Sequence, residues 1–298
     1  MNADIPSLKT ALGPYGVWSG ALRSDEPGRR ADIADAAAEL DELGYGALWL
    51  GGSPGVEQAV PLLAATRRIT VATGILSIWL HSAEDVAARF ADAEDAHGGR
   101  FLLGLGVSHG ALTDRYRRPY SAMRAYLDAL DAAPRPVPAE RRVLAALGPK
   151  MLELSRDRSA GAHPYLVTAE HTAQARVTLG ESALLAPELK AVLDSDPARA
   201  RATARAYLSR YLALPNYTNN LLRLGFTAED FADGGSDRLL NAVFALGDPA
   251  AVRARAEEFL AAGADHVALQ VVTADGHDVF PLAAYRTLAE ALPLQRSR

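Results

Sequence analysis

The sequence predicts an α/β fold, a (β/α)8 TIM barrel with a helical insertion, and three observations predict it. Short apolar runs alternate with amphipathic segments along the whole chain. The apolar runs lack polar alternation, which marks parallel strands covered on both faces. Eight such runs can be counted, and consecutive β-α units with right-handed crossovers close most simply into a barrel. A doubly wound sheet is the competing arrangement; eight units favour the barrel.

The first strand is Tyr15-Gly-Val-Trp-Ser19, followed by a helix over 27–43 with apolar residues at Ile33, Ala37, Leu40 and Leu43 and a stop at Gly44. Residues 46–50 form the second strand and meet Gly51-Gly52; a helix over 56–66 follows. The third strand covers 69–77 and its helix 83–97, stopped by Gly98-Gly99. The fourth strand, 101–107, is Phe-Leu-Leu-Gly-Leu-Gly-Val. Strands five and six cover 142–147 and 162–167, with helices over 150–157 and 169–179; Thr168 has the chemistry of an N-cap and Gly180 of a C-terminal stop. Strand seven is 189–193, strand eight 265–272, and the last helix runs from about Phe280 to Leu292. Between strands seven and eight lie predicted helices over 197–212, 219–223, 228–231, 237–246 and 249–262. No linker divides the chain, so the reading is one domain over 1–298 with an insertion over about 197–262.

Composition narrows the partners. Of 298 residues, 49% are hydrophobic and 22% charged, enough apolar material for a large core. A formal net charge of -5 argues against a nucleic-acid binder. No run approaches the roughly 18 apolar residues of a membrane span, and no signal peptide is visible before Gly13. The absence of cysteine excludes disulfides and thiolate metal sites and suits a cytoplasmic enzyme. No metal is expected, because His163 and His171 lack a third ligand.

Barrel chemistry sits at the C-terminal ends of the strands. Those ends are rich in glycine, hydroxyl, aromatic and histidine residues and short of acids, which suits a bound cofactor that carries its own chemistry. The run Gly104-Leu-Gly106-Val-Ser-His-Gly110 is a poor dinucleotide fingerprint, since its third glycine is displaced and Pro119 delays the next helix. Two readings of it stand: a turn whose N–H groups meet a cofactor edge, or glycines that relieve crowding inside the barrel. Gly148-Pro149-Lys150 is either an anion-binding helix start or a plain one with a solvated lysine. Arg115, Arg117 and Arg118 either are solvated or meet an anionic cofactor tail. Of the seven histidines, His81 and His109 lie at the mouth, while His97, His266 and His277 read as structural or solvated.

At these residues the chain resembles the luciferase-like family of flavin and deazaflavin oxidoreductases. The resemblance rests on Gly99-Arg-Phe-Leu-Leu-Gly-Leu-Gly-Val-Ser-His109, on Ala146-Leu-Gly-Pro-Lys-Met-Leu152, on Gly161-Ala-His-Pro-Tyr-Leu-Val-Thr-Ala-Glu-His171, and on Ala262-Gly-Ala-Asp-His-Val-Ala-Leu-Gln270. It covers nearly the whole chain and is nearest the branch that uses coenzyme F420. It implies a homodimer, an insertion after strand seven, and a cofactor at the barrel mouth behind which strand three bulges at a cis Gly74-Ile75 peptide. The implied cofactor contacts are Gly74, Ile75, Gly106, Val107, Ser108, His109, Gly148, Lys150 and His163. The chain departs from the pattern after strand two, where Gly51-Gly52-Ser53 replaces the Asp-His or similar polar pair of several deazaflavin enzymes. The proton donor is therefore open, with Ser53, His81, Ser108 and His109 at the mouth.

Three functions follow as expectations. The first is hydride transfer between coenzyme F420 and a small organic substrate. The second is an FMN-dependent monooxygenase, and the third a flavin-binding barrel without chemistry. A cofactor-free hydrolase or aldolase lacks the necessary acids or Schiff-base lysine at the strand ends. Trp18 and Trp79 suggest an apolar or aromatic substrate, though aromatics fill cores equally well.

Overall fold

The computed structural model of the chain describes residues 4–23, 26–110, 114–274, 276 and 279–295. Its strands are β1 (Tyr15–Ser19), β2 (Ala47–Leu50), β3 (Thr70–Thr73), β4 (Leu76–Ser77), β5 (Phe101–Gly106), β6 (Arg142–Leu144), β7 (Gly161–Ala162), β8 (Leu184–Leu185), β9 (Glu188–Leu193), β10 (Phe244–Gly247) and β11 (Val267–Val271). Every pairing is parallel. The order along the sheet is β10-β9-β11-β1-β2-β3-β5-β6-β7-β8, with β4 on β5. β8 and β9 are separated only by Ala186 and Pro187, so the two flanks of the sheet meet in one stretch of chain. There the Ala186 and Glu188 N–H groups donate to Ala162 and Pro164 on one side, and the Ala268 N–H donates to Pro187 on the other. The result is a curled parallel sheet of TIM-barrel type.

The helices are α1 (Ile5–Leu12), α2 (Pro27–Leu43), α3 (Val60–Ala65), α4 (Ala83–His97), α5 (Pro119–Asp131), α6 (Pro149–Arg158), α7 (Ala169–Leu179), α8 (Pro197–Leu212), α9 (Pro215–Arg223), α10 (Asp237–Val243), α11 (Pro249–Ala261) and α12 (Leu282–Ala291). Their ends follow local chemistry. Ser82 and Thr168 accept from the N–H groups of Asp85 and His171, caps worth about 1 kcal/mol each. α2 stops at Gly44, whose φ of 95° suits glycine.

Side chains alternate along the strands. Val17, Leu48, Leu50, Val71, Leu103 and Leu105 pack against the helices. Trp18, Ala47, Trp49, Ala72, Leu102, Val143 and Ala268 form a separate interior cluster. Small residues there leave room for Trp49, which stacks on His163 at 4.1 Å and donates through Nε1 to His266 at 3.1 Å. α1, which the sequence pattern did not reveal, adds Leu8 and Leu12 to this cluster.

Strand six, read over 162–167, is a strand only over Gly161–Ala162, and two further expectations differ from the structure. Residues 244–247, read as the end of a helix, form β10, which pairs with residues 190–193 of β9. The helical spacing of Leu239, Leu240 and Val243 runs straight into this apolar run, and partner backbone beside β9 overrides it. The helix read over 249–262 belongs to the outer ring, because α11 packs on β9, β11, α7 and α12. The helices that leave the ring are α8, α9 and α10, which share a core of Tyr207, Leu208, Leu221, Leu239, Leu240 and Phe244.

Glycine substitutions test this packing. A Cβ on Gly104 would stand 1.9 Å from the Thr73 carbonyl oxygen, whereas one on Gly28, in the first turn of α2, meets nothing within 4 Å. Gly104→Ala is expected to destabilise by about 3 kcal/mol and Gly28→Ala to stabilise by about 0.5–1 kcal/mol; urea unfolding of the two variants checks both signs.

Candidate active site

A cavity of about 680 Å³ opens at the C-terminal ends of the strands. Barrel residues form its floor and one side: Trp18, Gly74, Ile75, the Val107-Ser108-His109 turn, residues 145–148 and Tyr165. The excursion after β9 forms the other side through Tyr211, Leu214, Asn216, Tyr217, Asn219 and Arg223.

The floor is set by a slip in strand register. Val71 and Ala72 pair with Phe101 and Leu102, but Leu76 and Ser77 pair with Leu105 and Gly106. One more residue is thus accommodated on the β3–β4 side than on β5, the signature of a bulge. The Thr73 hydroxyl fills the gap in the ladder: it donates to the Gly104 carbonyl and accepts the Gly104 N–H, both at 2.8 Å. The Gly74 carbonyl accepts from Trp18 Nε1 at 3.2 Å. The Gly74–Ile75 peptide is cis, as the resemblance implies.

This bulge decides the role of the glycine run. The Ile75 side chain lies over Gly106, where a Cβ would come within 2.4 Å of it. Gly106 therefore lies behind Ile75 and is not among the residues that line the cavity. Val107, Ser108 and His109 do line the cavity. Trp79 does not. Its Nε1 donates to the Val107 carbonyl and fastens the turn from outside.

The histidines separate by position. His163 is 1% exposed and lines the cavity. Its Nδ1 lies 2.6 Å from the Ala186 carbonyl, which requires the proton on Nδ1, and Nε2 is a buried acceptor without a partner. Burial lowers its pKa to about 3, so the ring is neutral. His109 lines the cavity beside the Tyr217 ring, its Nδ1 buried and unpartnered and its pKa lowered by burial. His81 is not in the cavity wall. The chain turns outward after Ser77 to reach the cap of α4, and the His81 carbonyl accepts from the Tyr126 hydroxyl. His266 is fully buried and bonded to Trp49 and to the Gly13 carbonyl. His171 bonds the Leu147 carbonyl, a packing role. His277 lies outside the described residues.

Ser53 and Ser108 line the cavity at left-handed backbone positions, φ 59° and 56°. Gly148 and Lys150, at the start of α6, line it as well, and the Arg223 guanidinium reaches within 3.8 Å of a Cβ position on Gly148. Two cations therefore face one side of the cavity. Arg115 is exposed and bonds the Trp79 carbonyl; Arg117 and Arg118 are exposed and outside the wall.

Sequence reasoning missed a polar cluster at the floor. Tyr165, Tyr207, Tyr211 and Gln270 share hydrogen bonds of 2.6–3.0 Å. Burial raises the Tyr165 and Tyr207 pKa values well above the ordinary phenol value. Beneath them Glu188 and Lys190 form an ion pair at 2.6 Å with neither side chain exposed. Burial pushes Glu188 up and Lys190 down, and each pulls the other back. The ammonium sits 3.8 Å from the centre of the Tyr165 ring. The only signal in the sequence is the i, i+4 spacing of Tyr207 and Tyr211, which places them on one helix face. Among the described residues, no group of His, Asp or Glu is arranged to hold a metal ion, and no helix is long and apolar enough to cross a membrane.

The profile of the luciferase-like monooxygenase family matches residues 15–266, and the chain belongs to that family. A comparison with curated proteins finds no match. Among solved structures, the chain is similar to the coenzyme F420-dependent tetrahydromethanopterin reductase from Methanopyrus kandleri, at 16% identity and a TM-score of 0.73, covering 94% of this chain and 98% of that one. It is similar to an F420-dependent secondary alcohol dehydrogenase bound to an F420-acetone adduct, at 14% identity and a TM-score of 0.69 with the same coverage, 94% and 98%. It is also similar to the FMN-bound oxygenating constituent of 3,6-diketocamphane monooxygenase from Pseudomonas putida, at 12% identity and a TM-score of 0.61, covering 93% and 96%. At these identities the likeness establishes the fold.

The buried neutral histidines predict a pH dependence of stability. Unfolded, His163 and His266 take up protons below their ordinary pKa of 6.5; folded, they stay neutral down to about 3 and about 4. The unfolded chain therefore binds more protons in that window, and stability falls as pH falls through it, by about 1.4 kcal/mol per pH unit for each ring. Urea unfolding at pH 7 and pH 5 is expected to show His163→Gln losing about 2 kcal/mol less than wild type between the two.

Proposed function

We propose that the protein is an oxidoreductase that binds coenzyme F420 in this cavity and moves hydride between it and a small organic substrate. The observation that carries the reading is the pairing of an apolar floor with two unpartnered imidazole nitrogens and a cationic rim. Gly74, Ile75 and Val107 offer a flat apolar support for a tricyclic ring. His163 Nε2 is an acceptor and His109 a polar contact for the ring's hydrogen-bonding edge; Ser53 and Ser108 add hydroxyls beside it. Gly148, Lys150 and Arg223 suit an anionic tail, where charge-assisted bonds are the strong ones. When bound, the deazaflavin supplies two-electron hydride chemistry; the protein's share is to orient, exclude water and manage one proton.

A second reading, an FMN-dependent monooxygenase, draws on the same floor, with a single phosphate at Lys150 and Arg223. Titration of the purified protein with coenzyme F420 and with FMN, side by side and followed by fluorescence, decides between them. Tighter F420 binding is expected; a preference for FMN assigns the second reading, and binding of neither overturns both. Lys150→Met is expected to weaken F420 binding by about tenfold or more, the worth of one bond to a charged group.

A further inference from the structure

We infer, on the strength of the oxidoreductase reading above, that the substrate is an aromatic molecule without positive charge, and that Lys190, buried behind the cavity wall, makes this selection.

Trp18, Tyr165, Tyr211 and Tyr217 make one continuous face of the cavity. The centroids of Trp18 and Tyr165 lie 5.1 Å apart, and those of Tyr165 and Tyr211 5.5 Å. Tyr217 closes the face at 5.5 Å from Tyr211 and 6.0 Å from Tyr165. The interplanar angles run from 40° to 70°, so the rings tilt around a space and do not stack flat on one another. Their polar atoms are largely spent elsewhere. The Tyr165 and Tyr211 hydroxyls are bonded to each other, to Tyr207 and, from Tyr165, to Gln270. Trp18 Nε1 is taken by the Gly74 carbonyl. This face therefore offers a ligand π surface, which receives another aromatic ring in tilted or edge-to-face contact.

A cage of aromatic rings ordinarily attracts a cation. Here a cation already sits on the rings from the buried side. Lys190 Nζ lies 3.8 Å from the centre of the Tyr165 ring and 5.8 Å from that of Tyr211, on a side chain that is fully buried and does not line the cavity. Glu188 holds it there at 2.6 Å, and the same carboxylate oxygen accepts the Leu166 N–H at 3.3 Å. The pair is neutral as a whole, but its ammonium is seated on the ring. An ammonium on a ring draws its π density, so a second cation on the cavity side gains less from that ring and is repelled by the first. The rest of the lining has the same sign. Its charged residues are Lys150 and Arg223, and among the described residues no Asp or Glu lines the cavity. A cationic ligand would lose its water there and meet no counter-charge, a costly exchange. An uncharged or anionic aromatic ring meets no such penalty.

The test measures, by isothermal titration calorimetry on the cofactor-free protein at neutral pH, the binding of 2-naphthylmethanol, of its protonated amine counterpart 2-naphthylmethylamine, and of the saturated decahydro-2-naphthylmethanol. The aromatic alcohol is expected to bind tighter than the ammonium by about tenfold or more and tighter than the saturated alcohol by about threefold or more. Tyr217→Leu is expected to weaken the aromatic alcohol by about fivefold, which places it in the cavity. Lys150→Met is expected to keep the discrimination against the ammonium, because its source lies behind Tyr165. The Glu188→Gln, Lys190→Met double variant removes both buried charges together, so that neither is left unpaired; it is expected to cut the discrimination by about threefold or more. Where that variant fails to fold, the wild-type ratios and Lys150→Met decide. Equal binding of ammonium and alcohol, equal binding of the saturated alcohol, absence of binding, loss of discrimination in Lys150→Met, or its full retention in the folded double variant overturns the proposal. With F420 or FMN bound, the aromatic alcohol is expected to bind still; its displacement by the cofactor overturns the substrate assignment. Failure of both cofactors to bind, with the probe results intact, overturns the oxidoreductase reading alone.

Discussion

The Thr73 hydroxyl bound to both backbone groups of Gly104 is the contact on which the site depends. A parallel strand normally continues its ladder residue by residue, and slipping the register strands an N–H and a C=O that cost free energy if left buried without partners. One side chain answers both groups at Gly104. The chain can then leave the ladder for three residues and rejoin it one position out of step. Only a small residue tolerates this at position 104, with the Thr73 carbonyl so close. The displaced segment carries Ile75 over Gly106 and turns the Gly74 carbonyl toward Trp18, which fixes the cavity floor from both sides.

Polar groups in the barrel interior are divided by height. Lower down, Trp49, His163 and His266 are held by stacking and by bonds to backbone carbonyls, and all are neutral at physiological pH. Higher up, the Glu188–Lys190 pair and the tyrosines bring charge and hydrogen-bonded hydroxyl groups. A buried ion pair is costly to desolvate and is weak evidence for stability. Its position under Tyr165 is better explained by the field it imposes on the aromatic cluster.

The architecture was largely legible because buried parallel strands announce themselves as apolar runs, as in 47–50 and 101–106. The failures have physical causes. Phe244–Gly247 continues a helical pattern, and only the exposed edge of β9 makes it a strand. Gly106 can be read two ways because glycine at a strand end has two uses, and the overlying Ile75, distant by 31 residues, keeps it out of the cavity lining. His81 sits four residues past the end of β4, where the chain has already turned outward toward α4. The tyrosine cluster draws on a loop, a helix of the excursion and the last strand, so no local pattern could assemble it.

That cluster also explains how the excursion is tied to the barrel. α8 is fastened to the floor through Tyr207 and Tyr211, which meet Tyr165 and Gln270 from the barrel side. Hydrogen bonds among buried neutral groups are directional and are lost together if the helix shifts, because an unpartnered phenol in an apolar setting is costly. An apolar contact alone would let α8 slide over the barrel rim at little penalty. The hydroxyl network instead sets one position for the helix, and with it the position of Leu214, Tyr217 and Arg223 on the far wall. The shape of the cavity is therefore determined by the same four side chains that close the network.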